Sequence, residues 1–495
     1  MRRPHFSLGP GFNWRLILPV LAAVLGAITI GLVVCAVYAL AEGGDSAAAF
    51  AVPAAVYLPL AGLLVALGRR SRRVPLRARD GFLAVTLAWL TAAFAGSVPF
   101  MLDDVLPRPI DAIFESMAGF TTTGASLVNP EETPRALLLW RSLSQWLGGV
   151  GIVVLLVAIA PATGVASQRL FHAEMSGVTA ERLTPRIADT AKIILAIYGA
   201  LTAAGFAAFA LAGMTPFDAI NHILTGLSSG GFSTRTDSIG SFDSVAIELV
   251  AMVFMVASGI NFAFYWRALR GESLWPQAAE VRAFVLILAG SAAAVTASLL
   301  LAEHPGGFWG GLRSGAFTVT SIGSGTGFIT DDYNGWNDYA RTHLLLLMFI
   351  GGCAGSTSGG IKVMRATLLA KIAGQELSRQ LRPRAVTVLR TRGRVFNEDV
   401  RRAVLAFAVI YLLVAVAGTF AMLIAGLDLT SAATSAASCL TLLGAGLGAV
   451  GPTDGFGSVP DGGRIVLMFL MLAGRLEVLT VLVLLTPAFW RRNVA

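Results

Sequence analysis

Residues 116–126 read SMAGFTTTGAS, a run of hydroxyls and glycines set between two strongly apolar stretches and too short for an ordinary soluble loop. Its meaning depends on its surroundings. Hydrophobic residues make up 55% of the 495-residue chain and charged residues only 13%, with a mean hydropathy of +0.72. So little polar surface excludes a water-soluble globule and indicates an all-α polytopic membrane protein. A membrane helix needs about 20 apolar residues. Runs of that length recur from LILPVLAAVLGAITIGLVVCAVYAL (16–40) to IVLMFLMLAGRLEVLTVLVLL (465–485), about ten in all. The start, MRRPHFSLGPGFNWR, is basic, but the apolar run behind it is long and lacks a clear small-residue cleavage site, which indicates a retained first span.

The net charge of +8 does not indicate nucleic acid, because the basic residues gather at membrane edges. GRRSRRVPLRARD (68–80), WRALRGESLWPQAAEVR (266–282) and RQLRPRAVTVLRTRGRVFNEDVRR (379–402) mark the cytoplasmic side. AEGGDS (41–46), MLDDVLPRPID (101–111), NPEETP (129–134) and DDYNGWNDY (331–339) mark the other. Ten spans place both termini in the cytoplasm, in agreement with Arg2, Arg3, Arg491 and Arg492. Cys35, Cys353 and Cys439 lie in or near apolar segments without paired spacing and read as ordinary buried thiols.

The opening stretch has three counterparts. FTTTGAS (120–126), GLSSGGFST (226–234), TSIGSGTGF (320–328) and LTLLGAGLG (440–448) recur at intervals of about 100 residues. Each follows an apolar span and a shorter semi-polar segment such as PIDAIFESMAGF (109–120) or PFDAINHILTGL (216–227), and precedes a second apolar span. About 10 to 15 residues cannot cross a bilayer, so these segments read as re-entrant helices. Pro109 with Asp111, and Pro216 with Asp218, are helix-start signals. The expected organisation is two N-terminal spans (1–79) followed by four span, re-entrant pore helix, span repeats at 80–170, 171–272, 273–375 and 376–495.

All four units enter from the same side, which suits a central pore with fourfold pseudosymmetry; an inverted-repeat carrier would alternate their polarity. Irregular backbone at membrane depth must be buried or line a water-filled cavity, and four such turns around one axis form a ring. Main-chain carbonyls and threonine hydroxyls there would replace the water of a desolvated cation without trapping it. The short helices would aim their partially negative C-terminal ends at the ion. Glycine at 124, 231, 327 and 444 permits the required backbone angles.

Together with ESMAGFTTTGAS (115–126), LSSGGFSTRTDSIG (227–240), GGCAGSTSGGIKVMR (351–365) and MLAGRLEVL (471–479), this pattern resembles the Trk/Ktr/HKT superfamily of potassium transporters. The two leading spans favour its TrkH-like membrane subunit. The resemblance covers nearly the whole chain. It implies potassium uptake across the bacterial inner membrane through a gated selectivity filter, a homodimer embedded in lipid, a cytoplasmic nucleotide-binding ring of the RCK type as partner, and no cofactor. It maps K+ binding to Thr122, Thr123, Gly124, Gly230, Gly231, Thr326, Gly327, Leu443 and Gly444. The fourth turn departs from the family, which commonly carries an Asn and Gly-Pro-Gly where Leu443, Gly444, Ala445 and Gly446 stand, and the third has fewer threonines than usual. A less selective or Na+-coupled monovalent cation transporter stays open as an alternative.

A second glycine feature follows each turn: Gly148 and Gly149, Gly259, Gly351 and Gly352, and Gly474. In the third unit it swells to Gly351, Gly352, Cys353, Ala354, Gly355, Ser356, Thr357, Ser358, Gly359 and Gly360. Each interior glycine costs a helix about 1 kcal/mol relative to alanine, so a break is expected; the resemblance makes it the intramembrane gate. Arg475 lies inside the last apolar run, where a cation is costly and functional by default. Glu477, two residues on, is on another helix face, and the resemblance makes Arg475 a barrier in the pore. His222 reads as a packing residue. An intramembrane enzyme finds no support: the chain has no HExxH and no GxxxxGK.

Overall fold

The computed structural model describes residues 11–71, 77–159, 187–381, 390–391, 394–395 and 398–490. Arg2, Arg3, Arg491 and Arg492, the expected boundary at 170/171, and parts of the basic stretches 68–80 and 379–402 lie outside these residues. Apart from a two-residue antiparallel pair, Arg390–Thr391 with Arg394–Val395, the regular structure of the described residues is helical.

Two long helices, α1 (Trp14–Glu42) and α2 (Ala47–Arg70), pack as a hairpin on the flank of the first unit. That unit follows as α3 (Ala78–Leu102), the short α4 (Pro109–Phe120) and α5 (Arg135–Ile159). The second contains α6 (Ile187–Leu211), the short α7 (Pro216–Leu227), and α8 (Val245–Ser258) with α9 (Phe262–Leu269). In the third, α10 (Trp275–Leu301) and α11 (Gly307–Ser324) precede α12 (Asp338–Met348) and α13 (Val363–Leu381). The last has α14 (Glu398–Ile424), α15 (Leu429–Thr441), and α16 (Asp461–Arg475) with α17 (Leu479–Leu485). The expected boundary at 375/376 falls inside α13, and α11 at 18 residues is longer than the expected re-entrant length.

Among the described residues, six helices are long and apolar enough to cross a membrane, and α8 with α9 and α16 with α17 form two more bent by 94° and 119°. The other two expected spans are α5, which carries Arg141, and the interrupted pair α12 and α13. The surface is apolar, unlike that of a soluble protein, and a polar centre lies within the apolar core. Ile30, Val37, Leu40, Leu58 and Val253 are exposed, whereas Ser116, Thr123, Thr225, Ser229, Thr326 and Ser438 are buried. Hydrocarbon outside and hydroxyls inside is the arrangement a bilayer selects around a polar centre.

The short helices start as their sequences dictate. Pro109 and Pro216 occupy first-turn positions, where a missing N–H costs nothing. The Thr215 hydroxyl accepts from the Asp218 N–H, and the Asp428 carboxylate accepts from the N–H groups of Thr430 and Ser431. Ion pairs then join successive units: Glu248 on α8 takes two bonds from Arg313 on α11, at 2.8 and 2.9 Å, and Arg464 on α16 pairs with Asp111 on α4.

Candidate functional site

All four short helices end in the same way. The N–H groups of Thr123, Gly230, Thr326 and Leu443 reach back five residues to the carbonyls of Ala118, Thr225, Ser321 and Ser438, at 2.8 to 2.9 Å. This closes the helix through a residue in the left-handed region: Thr122 at φ +57°, Ser229 at +56°, Gly325 at +75° and Leu442 at +63°. A side-chain-bearing residue there costs about 1–2 kcal/mol, so three of the four turns hold local strain. Two residues further on, Gly124, Gly231, Gly327 and Gly444 have φ of +79°, +78°, +85° and +93°.

These glycines also meet one another's turns in cyclic order. A Cβ on Gly124 would overlap the carbonyl oxygen of Gly230, one on Gly231 that of Thr326, one on Gly327 that of Leu443, and one on Gly444 that of Thr123. Each glycine is therefore covered by the carbonyl that precedes the next glycine, and the fourth closes on the first. All four line a single cavity of about 130 Å³.

The hydroxyls play a different part. Thr123 Oγ1 lies 2.8 Å from Thr121 Oγ1, and Thr326 Oγ1 lies 2.8 Å from Ser324 Oγ, so the threonines expected to present hydroxyls to an ion are engaged with their neighbours. Thr122 Oγ1 is buried without a hydrogen-bond partner. The main chain forms the ring.

Residues assigned no part in the ring from sequence fix the segment beyond each turn to the short helix before it. Glu115 accepts from Leu127 N at 2.8 Å, Ser126 Oγ at 3.0 Å and Arg141 Nε at 2.8 Å, a fully buried ion pair. Asp218 accepts from Thr234 Oγ1 at 2.7 Å, and His222 has both ring nitrogens engaged, Nε2 2.9 Å from Ser233 Oγ and Nδ1 2.8 Å from Asp218 O. Ser321 Oγ donates to Phe328 O at 2.7 Å, and Thr434 Oγ1 bonds both N and O of Leu447 at 3.0 Å. The stretch Gly226–Gly230 has the GxSxG spacing of a hydrolase elbow, but Ser228 ends a helix and donates to Thr225 O, whereas an elbow turns from strand into helix.

Beneath the ring the expected break is present: residues 351–360 are non-helical and almost wholly buried. Gly351, Gly355 and Gly360 have φ of +69°, +75° and +78°. The loop reaches the ends of three short helices. Thr357 Oγ1 bonds Ser229 Oγ at 2.9 Å and Leu227 O at 3.1 Å, Ser358 Oγ donates to Ser324 O at 2.5 Å, and a Cβ on Gly359 would overlap the carbonyl of Thr441. Cys353 N–H donates to Gly259 O, and Ala354 N–H to the Glu280 carboxylate, both at 2.8 Å.

Arg475 reaches the same loop from the end of α16. Its Nη1 donates to Thr357 O at 2.9 Å and its Nη2 to Gly148 O at 2.8 Å. Among the described residues no carboxylate is within ion-pair distance of it; Glu477 instead pairs with Arg365 at 2.8 Å. The other glycines of the second feature divide. Gly259 and Gly474 sit at the bends of α8/α9 and α16/α17, whereas Gly148 lies in the unbroken α5. A Cβ on Gly148 or Gly474 would overlap the carbonyl of Phe120 or Leu440, so both also serve close helix packing.

Residues 52–302 and 310–492 match the family described as TrkH, cation transport protein. The chain belongs to the TrkH family of cation transport proteins. It is 42% identical over 431 residues to a Trk system potassium uptake protein TrkH of Vibrio parahaemolyticus, covering 85% of this chain and 88% of that protein. It is 40% identical over 428 residues to the TrkH of Escherichia coli K12, with the same coverages. A Trk system potassium uptake protein TrkI of Halomonas elongata is 34% identical over 484 residues, 97% of this chain and 98% of that one. The crystal structure of the potassium transporter TrkH from Vibrio parahaemolyticus superposes with a TM-score of 0.86 at 38% identity, covering 96% of this chain and 99% of the other. The family is one of transporters, not enzymes.

Proposed function

We propose that this chain takes up potassium, as the membrane subunit of a Trk system, through a ring of main-chain carbonyls with a movable obstruction beneath it. The observation that carries this reading is the cyclic closure of the four turns, in which the carbonyls of Thr123, Gly230, Thr326 and Leu443 each cover the ring glycine of the preceding unit, that of Thr123 covering Gly444. Oxygen dipoles so arranged replace hydration water around a K+ ion without a full charge to hold it. Four helix C-termini behind them add partial negative charge. The ion is cargo, and no cofactor takes part.

The loop 351–360 acts as the gate and Arg475 as its latch and electrostatic barrier. One guanidinium both holds the loop by the Thr357 carbonyl and places a positive charge below the ring. The repeat boundaries, the inner-membrane location with both termini in the cytoplasm, the homodimer and the cytoplasmic nucleotide-binding ring of the RCK type belong to the same proposal. They rest on family resemblance and on the distribution of arginines along the chain.

The test is rescue of a bacterium lacking potassium uptake, paired with uptake of K+, Rb+, Na+ and Li+ into liposomes holding the purified chain. Rescue with K+ and Rb+ preferred over Na+ and Li+ is the expected result. Na+ transport that equals K+ transport would replace potassium uptake with a general monovalent cation pathway, and absence of both would retire the proposal.

A further inference from the structure

The four carbonyls of the ring are not equivalent. Gln145, on α5 of the first unit, is fully buried. Its Nε2 donates to the Gly230 carbonyl at 2.8 Å, and its Oε1 accepts from the Phe232 N–H at 3.2 Å. One side chain thus grips the second turn on both sides of Gly231. Among the described residues no side-chain donor reaches the carbonyl of Thr123, Thr326 or Leu443.

The same contact explains an oddity of the sequence. The residue before the ring glycine is Thr123, Thr326 or Leu443 in three turns but Gly230 in the second. Gly230 is not among the positive-φ glycines, so its backbone does not require glycine. Its space does: a Cβ there would lie against Cδ, Oε1 and Nε2 of Gln145 at once. The amide of Gln145 occupies the place that a side chain fills in the other turns.

We infer that Gln145 is a positioning residue that determines ion specificity, by fixing the direction of the Gly230 carbonyl and drawing part of its negative charge into a hydrogen bond. A carbonyl has two lone pairs and can take an ion while bonded to an N–H, but the N–H dipole opposes the cation and lowers the field at that quarter of the ring. Selectivity depends on the number and field strength of the oxygen dipoles, and a lower field favours the larger, more easily dehydrated K+ and Rb+ over Na+. The inference rests on the proposal that these carbonyls bind the transported ion.

The experiment measures K+, Rb+ and Na+ uptake by the full-length protein in liposomes, for Gln145→Leu, Gly230→Ala, and Gln145→Ala combined with Gly230→Ala. Gln145→Leu, which keeps bulk but no donor, is expected to lower the K+ to Na+ ratio about fivefold, the size of one ordinary hydrogen bond. Gly230→Ala alone is expected to stop transport of all three ions by collision with the amide. The double variant removes the collision, so transport should return with the lowered ratio. Should Gln145→Leu not assemble, the double variant reads the same quantity. Gly124→Ser serves as the separate check on the ring. If it changes the ratio while Gln145→Leu and the double variant keep the original one, Gln145 is a spacer and the inference fails with the ring reading intact. If Gly124→Ser also leaves the ratio unchanged, the ring reading itself fails and the inference falls with it.

Discussion

The four turns of the ring are alike, and the four segments beneath them are not. Each turn has the same five-residue hydrogen bond, the same left-handed residue two places before its glycine, and the same overlap with the next carbonyl. Below, α5 is unbroken, α8 and α9 meet at 94°, the third unit unwinds over residues 351–360, and α16 and α17 meet at 119°. The proposed function accounts for the likeness: oxygens around one ion must stand at similar distances, so each turn would need the same backbone. Blocking a path needs only one obstruction, so the lower layer was free to diverge. Under the proposed function, the difference separates a part that chooses the ion from a part that admits it.

The strongest way to break this comparison is to injure one turn and ask whether the other three compensate. Gly231→Ala would place a methyl on the Thr326 carbonyl and force alanine into the left-handed region, and K+ flux should fall about a hundredfold. Gly290→Ser, where a Cβ meets nothing within 4 Å, should leave flux and ion ratios near those of the unaltered protein. Normal selectivity in Gly231→Ala would show that the turns do not act as a ring.

Injuring the lower layer should do the opposite. Deleting residues 352–358, or replacing them with alanines, removes the contacts with Leu227, Ser229 and Ser324, and basal K+ flux should rise by several tens of fold. The ion ratios should hold, since the ring above is untouched. A deletion that assembles yet leaves flux unchanged or abolished would assign the loop to packing.

Arg475→Ala should raise flux by more than tenfold. A guanidinium within about 8 Å of a cation repels it by roughly 2 kcal/mol at an effective dielectric of 20. Arg475→Lys should keep most of the barrier, because the charge survives. Thermal stability of the solubilised protein, measured alongside, separates barrier from scaffold: destabilisation without faster flux would make Arg475 a brace between Thr357 and Gly148 only. The smallest effect is expected at Glu477, at the bend of the last unit, which pairs with Arg365 on α13 of the third. Its side chain is 38% exposed but that of Arg365 only 4%, so Glu477→Gln, which keeps an acceptor oxygen for the guanidinium, should cost about 1–2 kcal/mol of stability and change flux about twofold at most. A larger gain in flux would make this pair a second latch.

The positions of the ring glycines were legible in the sequence because a left-handed turn against a neighbouring backbone leaves few alternatives to glycine. The strain two residues earlier was not: Thr122, Ser229 and Leu442 carry side chains and give no sign of positive φ, which the helix-closing hydrogen bonds impose. The partners of the threonines were not legible either, since hydroxyl chemistry fits a cation as well as it fits a neighbouring hydroxyl, and Thr123 and Thr326 are bonded to the latter. Arg475 announced itself as a charge at membrane depth, but its acceptors lie 118 and 327 residues away and are main-chain carbonyls, which no residue type reveals. Gln145 was missed for the same reason, its partner being 85 residues distant. The one hint available was Gly230, a second glycine where the other turns have a side chain.

A ring built from one chain has a freedom that a ring of identical subunits lacks. In a homotetramer every inherited change arrives in four copies, so an ion site can move only by large, symmetric steps. Here the residue before the ring glycine is Thr123, Gly230, Thr326 and Leu443, four positions that evolution can alter one at a time. Ion preference can then drift in quarter steps, each tried while the other three hold the site together.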